Sequence, residues 1–313
     1  MEGRTPDLIQ RAAARLQQPA LRPAASAAIA PATGLDAAAA RGAPINEGKA
    51  IEPKTRSPHF VQSTAKRPQQ VTISPTSLAA NGIVLPSSGL SRTVEEFRAL
   101  KRHVLANAMR SADAADPAAS RIILVTSARS GEGKTFTSVN LALALAYEKD
   151  ARVLLMDADA YRQSLMKYLG ISAASGWLEA VSGKSPGVAD VILETNIPGF
   201  SVLPTGKETA QIPEIMSSRR MKDLLNELVR QDARRFIIID SLPCLTSTEP
   251  SILSAQAAQT LFVVAAHETS REDIEASLRL LNSSPSVNLI LNKAVPVLTE
   301  QFKGYGYAYR NPQ

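Results

Sequence analysis

The sequence predicts a doubly wound α/β domain: a mostly parallel sheet with helices packed on both faces, preceded by a disordered tail. Three observations lead there. From Arg121 onward, six short apolar runs of strand length alternate with helical stretches. A glycine-rich turn sits between the first of these strands and an apolar helix. Two of the later strands end in carboxylates. Strands separated by helices join through right-handed crossovers, which makes neighbours parallel and covers both faces of the sheet. Ligands of such folds bind at the carboxyl ends of the strands.

Residues 1–90 hold ten of the twenty prolines, and their apolar residues show no sustained period, so they read as a disordered, basic Pro/Ala-rich tail. A short helix over 7–17 is the one element expected within it. Order is expected from Ser91, where a capping Ser or Thr precedes acidic residues and Phe97, Leu100, Val104 and Leu105 follow at helical spacing. That predicts a helix over 91–110. The strands are then 122–127 (IILVTS), 152–157 (RVLLMD), 200–205 (FSVLPT), 236–240 (FIIID), 261–266 (LFVVAA) and 287–292 (VNLILN). Helices are expected over 134–147, up to Leu169, over about 213–230 and over 271–282, with Trp177 anchoring a short one.

Composition removes several classes. Cys244 is the single cysteine, so there is no intramolecular disulfide and no cysteine cluster for a metal. His59, His103 and His267 lack metal-ligand spacing. No apolar run approaches the roughly 18 residues of a membrane span, and the opening MEGRTPDLIQ has no apolar signal core. The expected location is the cytoplasm, with any membrane role supplied by a partner. Of the net charge of +6, +5 belongs to residues 1–90, which argues against a nucleic-acid face on the folded part.

The turn after the first strand reads ARSGEGKTF. Gly131 and Gly133 let backbone N–H groups turn inward as an anion nest, within a cradle running from Ser130 through Glu132 to Phe136. Lys134 would reach the β/γ-phosphates of a nucleotide and the Thr135 hydroxyl would hold Mg²⁺. Ala128 stands where the motif GxxxxGK[ST] has its first glycine. Asp240, ending FIIID, is placed to hold Mg²⁺ through water. Asp157 and Asp159 end VLLMDAD beside the phosphate loop: Asp157 could bind the metal or polarise the attacking group, and Asp159 could accept its proton.

Phosphate loop, paired-aspartate strand and strand-end aspartate, in that order, resemble the deviant P-loop ATPases, which include MinD and ParA relatives and the bacterial tyrosine kinases. SxxxGEGKT with VNLALALA, VLLMDADxxR and FIIIDSLP resemble the three motifs of the kinases. Glu95, Arg98 and Lys101 resemble their ExxRxxR ring-forming helix. Three of the six tyrosines, Tyr305, Tyr307 and Tyr309, stand together in GYGYAYR. IPGFSVLPTG, EIMSSRRMKDLL, LTSTEP and LILNKA are similar to segments of the exosortase-associated tyrosine autokinases of exopolysaccharide clusters.

The resemblance covers about residues 80–313 and implies a kinase domain over 91–300 with a flexible tyrosine-rich tail at 301–313. It implies ATP and Mg²⁺, a homo-oligomeric ring, and phosphorylation of the tyrosine tail of a neighbouring subunit. It also implies a separate membrane-bound chain-length regulator that recruits the chain to the inner face of the membrane, and a protein-tyrosine phosphatase. Arg162 and Asn292 would join the nucleotide site, Asn292 at the adenine. Tyr161, Leu242 and Arg129 depart from the family pattern, Arg129 standing where MinD and ParA relatives keep a signature lysine. The different-class alternatives are a ParA/MinD-like positioning ATPase and a nucleotide-sensing scaffold. The first calls for an amphipathic membrane helix or a basic face, neither of which the sequence offers.

Overall fold

The computed structural model describes residues 69–86, 89, 91–110, 118–184, 187–207 and 211–295. The rest of the expected N-terminal tail and the cluster Tyr305, Tyr307 and Tyr309 lie outside the described residues. The strands are β1 (Gln69–Val71), β2 (Ile122–Ser127), β3 (Arg152–Asp157), β4 (Leu193–Thr195), β5 (Phe200–Leu203), β6 (Arg235–Asp240), β7 (Gln259–Ala265) and β8 (Val287–Asn292). The α-helices are α1 (Pro75–Ala80), α2 (Arg92–Arg110), α3 (Lys134–Ala146), α4 (Ser164–Leu169), α5 (Trp177–Val181), α6 (Ile212–Ser217), α7 (Arg219–Gln231), α8 (Glu249–Ser254) and α9 (Arg271–Leu280).

The strands form one sheet in the order β1-β4-β5-β3-β6-β2-β7-β8. Every neighbouring pair is parallel except β4 with β5. The central strands β2, β3 and β6 are apolar on both faces because helices cover both. Ile123, Val125, Val153, Leu155 and Ile238 pack toward α2 and α3. Ile122, Leu124, Leu154, Ile237 and Ile239 pack toward the layer of α5 to α8. Helix α3 is buried throughout from Thr137 to Ala146, which explains why its sequence is apolar all round.

Several details differ from the sequence expectation, which included neither β4 nor α8. The ordered fold starts before Ser91: β1 joins the sheet beside β4, and Ile73, Leu78 and Ile83 enter the core next to α3. The helix expected over 213–230 is two helices. Ser218 breaks it at ψ 151, and its side chain accepts the Met221 N–H at 3.2 Å to cap α7. The third expected strand stops at Leu203, because Pro204 has no N–H for the ladder. The helix after β3 begins only at Ser164, after a loop in which Gln163 takes φ 48.

Candidate active site

The order β3-β6-β2 places the carboxyl ends of three sequence-distant strands side by side. In the β3–β6 register Asp157 stands opposite Asp240. The turn after β2 carries residues 128–133, and α3 begins at Lys134. The three motifs therefore converge because of strand order, not chain proximity.

Gly131 (φ 87) and Gly133 (φ 98) give the turn its left-handed steps. A Cβ on Gly131 would meet nothing within 4 Å, whereas one on Gly133 would lie 2.0 Å from Asn292 Nδ2. Gly133 is thus required by its backbone angle, and a side chain there would also push the Asn292 amide aside. Asn292 ends β8, and its amide donates to the Glu132 carbonyl at 2.9 Å. It is therefore a strut under the phosphate loop, in addition to any contact with a base.

Glu132 is 4% exposed and its carboxylate faces inward. It accepts the Arg129 N–H at 2.7 Å and the Thr269 hydroxyl at 2.5 Å. Only its backbone faces the nest, so its side chain acts as a staple between the loop and the turn after β7. Phe136 likewise turns its ring away, edge-on to Phe97 of α2 at 5.8 Å. Both were expected in the nucleotide cradle, and with their side chains turned away only their main chain is left to face it. Arg129 is forked onto Asp273 at the start of α9, at 2.5 and 2.9 Å.

Lys134 is 8% exposed. Burial lowers its pKa, while Asp240, Asp159 and Glu132 pull it back up. Thr135 Oγ1 donates to Asp240 Oδ2 at 2.8 Å and Ser138 Oγ to Oδ1 at 3.0 Å. Burial pushes the Asp240 carboxyl up to about 6, against the opposing hydroxyl bonds and Lys134. Asp157 is raised well above the usual carboxylate range by burial, then by the Asp240 charge, with the Asp159 N–H opposing. Its Oδ1 accepts that N–H at 3.1 Å, and its Oδ2 is buried without a partner. Trp177 Nε1 and Thr205 Oγ1 both donate to the Asp157 carbonyl, at 2.8 and 2.7 Å, fixing the strand end.

These features fit a nucleotide-bound Mg²⁺. Two adjacent buried carboxylates repel one another, one oxygen is orphaned, and a hydroxyl stands beside them. Magnesium typically takes only one or two protein carboxylates, the remainder being phosphate and water. Among the described residues no group of three or more His, Cys, Asp or Glu side chains is arranged around a metal.

Arg162 Nη1 donates to Ser130 Oγ, and its N–H donates to Asp159 Oδ1 at 3.0 Å, so the second motif closes over the phosphate loop. The departures are accommodated. Tyr161, 53% exposed, donates to the buried Glu249 at 3.3 Å. Leu242 is buried, and its carbonyl accepts the Thr126 hydroxyl at 2.7 Å. Cys244 is buried, and its thiol is pushed up to about 11, as expected of a small buried hydrophobe. Glu95, Arg98 and Lys101 all lie on α2, where Arg98 pairs with Glu95 and Lys101 with Glu148. Ser138 lies one helical turn beyond Lys134, a spacing that could have flagged it as a partner of the third-motif aspartate. Trp177 and Thr205 carried no such signal.

A phosphate loop on a parallel sheet with two carboxylate strand ends defines the class: a P-loop nucleotide-binding domain. The family model described as "AAA domain" matches residues 120–294. The chain belongs to that family and, within it, to the bacterial tyrosine kinases. It is 35% identical to the tyrosine-protein kinase ptk of Acinetobacter johnsonii over 51% of this chain and 22% of that protein. Against the tyrosine-protein kinase CpsD of Streptococcus agalactiae it is 30% identical over 55% of this chain and 75% of the relative. The solved BceF tyrosine kinase domain superposes with a TM-score of 0.56 at 25% identity, covering 71% of this chain and 91% of that one. The chain thus spans about a fifth of the first relative's length and three quarters of the second's.

Proposed function

We propose that the protein is an ATP-dependent protein-tyrosine autokinase that phosphorylates Tyr305, Tyr307 and Tyr309 between subunits. The observation that carries this reading is the carboxylate pair Asp157 and Asp159 at the end of β3, set directly beside Asp240 of β6 and next to the phosphate loop. Nucleotide binding alone needs the loop, Thr135 and one strand-end carboxylate. The second pair supplies an ion ligand and a base. Asp157, fully buried with an orphaned oxygen, would hold Mg²⁺ together with Asp240 and Thr135. When bound, Mg²⁺ neutralises charge on the phosphates.

Asp159 is 7% exposed against 0% for Asp157, so an entering tyrosine hydroxyl meets it first. Its carboxylate accepts the phenolic proton as the new O–P bond forms and the bond to the β-phosphate oxygen breaks, releasing ADP. Lys134 and the nest N–H groups stabilise the negative charge of the transferring phosphoryl group. Asn292, at the carboxyl end of β8, would contact the base.

The same reading assigns the chain to the exosortase-associated autokinases, acting in exopolysaccharide polymerisation and export. A separate membrane regulator recruits the ring and a phosphatase resets it. No helix among the described residues is long and apolar enough to cross a membrane.

Mass spectrometry after incubation with MgATP and the membrane activator tests it on wild type, Lys134→Met and a Tyr305/Tyr307/Tyr309→Phe triple variant. Phosphate on the tail of wild type, absent from both variants, is expected. ATP binding without phosphotyrosine would leave the positioning ATPase or the scaffold instead.

A further inference from the structure

β8 forms one edge of the sheet, and one of its faces is bare. The β7–β8 register sets Phe262 beside Leu289 and Val264 beside Leu291, so these four side chains share a face. Helix α9 covers the β7 half, where Ile274 and Leu281 pack with Phe262 and Val264. On the β8 half only Val287, at its start, joins that packing; Leu289 is 56% and Leu291 64% exposed. Of the seven large exposed hydrophobics among the described residues, Leu289 and Leu291 stand on this face, and Leu280 of α9 and Val295 are close to it in the chain. The opposite face is closed, since Ile290 joins the core and Asn288 bonds His103 of α2. From Val287 to Asn292 the strand has no charge and no proline, the devices that usually protect an edge.

We propose that this face is the seat of the segment Pro296–Phe302 of the same chain, which thereby anchors the tyrosine cluster at the β8 edge. The chain leaves β8 through Lys293, whose φ of 57 turns it and whose side chain is held by Glu268 at 2.7 Å. The residues that follow include Val297, Leu298 and Phe302, the apolar side chains such a face requires. A segment tethered this close has an effective concentration in the millimolar range, well above that of a separate copy.

The docking has a consequence that rests on the kinase reading. Six residues of strand span about 17 Å. A segment returning along β8 delivers the residues after Phe302 to the amino end of the strand, opposite the end that carries the active site. Tyr305 is three residues further on, a reach of about 10 Å. On this docking Tyr305 would stay out of reach of its own Asp159 and would take its phosphate from a neighbour.

Thiol labelling of the full chain tests the docking without nucleotide. Cys244 is buried, so a Leu291→Cys probe labels against a quiet background. Maleimide labelling of Leu291→Cys is expected to be about tenfold slower than in the same chain also carrying Val297→Asp and Leu298→Asp. Equal rates overturn the proposal. Slowing that grows with protein concentration also overturns it and gives the face to a second copy. A double variant whose melting midpoint matches the single one excludes misfolding, and labelling of Cys244 in both would expose it. Slow labelling in a protein that makes no phosphotyrosine would sink the kinase reading and leave the docking standing. Phosphotyrosine with fast labelling would do the reverse.

Discussion

Asp240 is held as an anion by Thr135, Ser138 and Lys134, yet burial raises its pKa to about 6, against about 3.9 in an unfolded chain. Between those values the folded state binds the proton more tightly than the unfolded state. By linkage, this group's contribution to stability is greatest below about pH 4 and falls as pH rises through 6, by roughly 3 kcal/mol for a shift of about two units. Asp157 shifts in the same direction. The nucleotide-free protein is therefore strained at neutral pH in the place where a metal nucleotide would bind. In Asp240→Asn the Thr135 and Ser138 hydroxyls can rotate to suit an amide and the buried charge is gone. Thermal melts from pH 5 to pH 7 should show the wild type losing about 1 kcal/mol of stability relative to Asp240→Asn, the part of the shift that titrates in that window. Parallel curves for the two proteins would refute this.

At the scale of elements, the N-terminal arm matters more than its composition suggests. Ile73 and Leu78 are each 1% exposed, and the arm is bonded at both ends: Ile73 N–H to Asn196 Oδ1 at 2.8 Å and Val84 N–H to Asn140 Oδ1 at 2.9 Å. Leu78→Ala should destabilise the protein by about 2–5 kcal/mol in urea unfolding, the range for a buried leucine in a packed core. A loss under 1 kcal/mol would mean that the arm is not part of the cooperative unit.

This arm was illegible in the sequence because β1 is three residues long and α1 six, too short to show a period. The six longer strands were legible because burial on both faces makes them continuous apolar runs. β4 escaped for the same reason as β1, although Asn196, Pro198 and Gly199 before β5 are turn residues that mark its antiparallel return. The phosphate loop and the three aspartates were legible because their chemistry demands fixed residue types at strand ends. The inward turn of Glu132 was not, because its partner Thr269 lies 137 residues away. Only the strand order brings β7 next to β2.

At the scale of the molecule, α2 is a wall of the core and, on the proposed reading, also the surface through which subunits would meet. Val94, Val104 and Ala108 are its buried face. The three residues that resemble a ring-forming motif divide between the two duties. Lys101 has a side chain only 15% exposed and pairs with Glu148, just beyond the end of α3, so it ties the helix to its own domain. Glu95 and Arg98 are 42% and 36% exposed and pair only within the helix, so a neighbour could reach them. A part-exposed i,i+3 pair contributes a few tenths of a kcal/mol, and exchanging it for an intersubunit pair sacrifices little. Arg98→Glu should therefore abolish assembly, read by light scattering in MgATP, with the melting midpoint of the dissociated chain unchanged. Lys101→Ala should do the opposite, lowering the midpoint while the assembly persists at concentrations where wild type is assembled. If Lys101→Ala dissolved the assembly without touching the midpoint, the Glu148 pair would be incidental and Lys101 would belong to the interface.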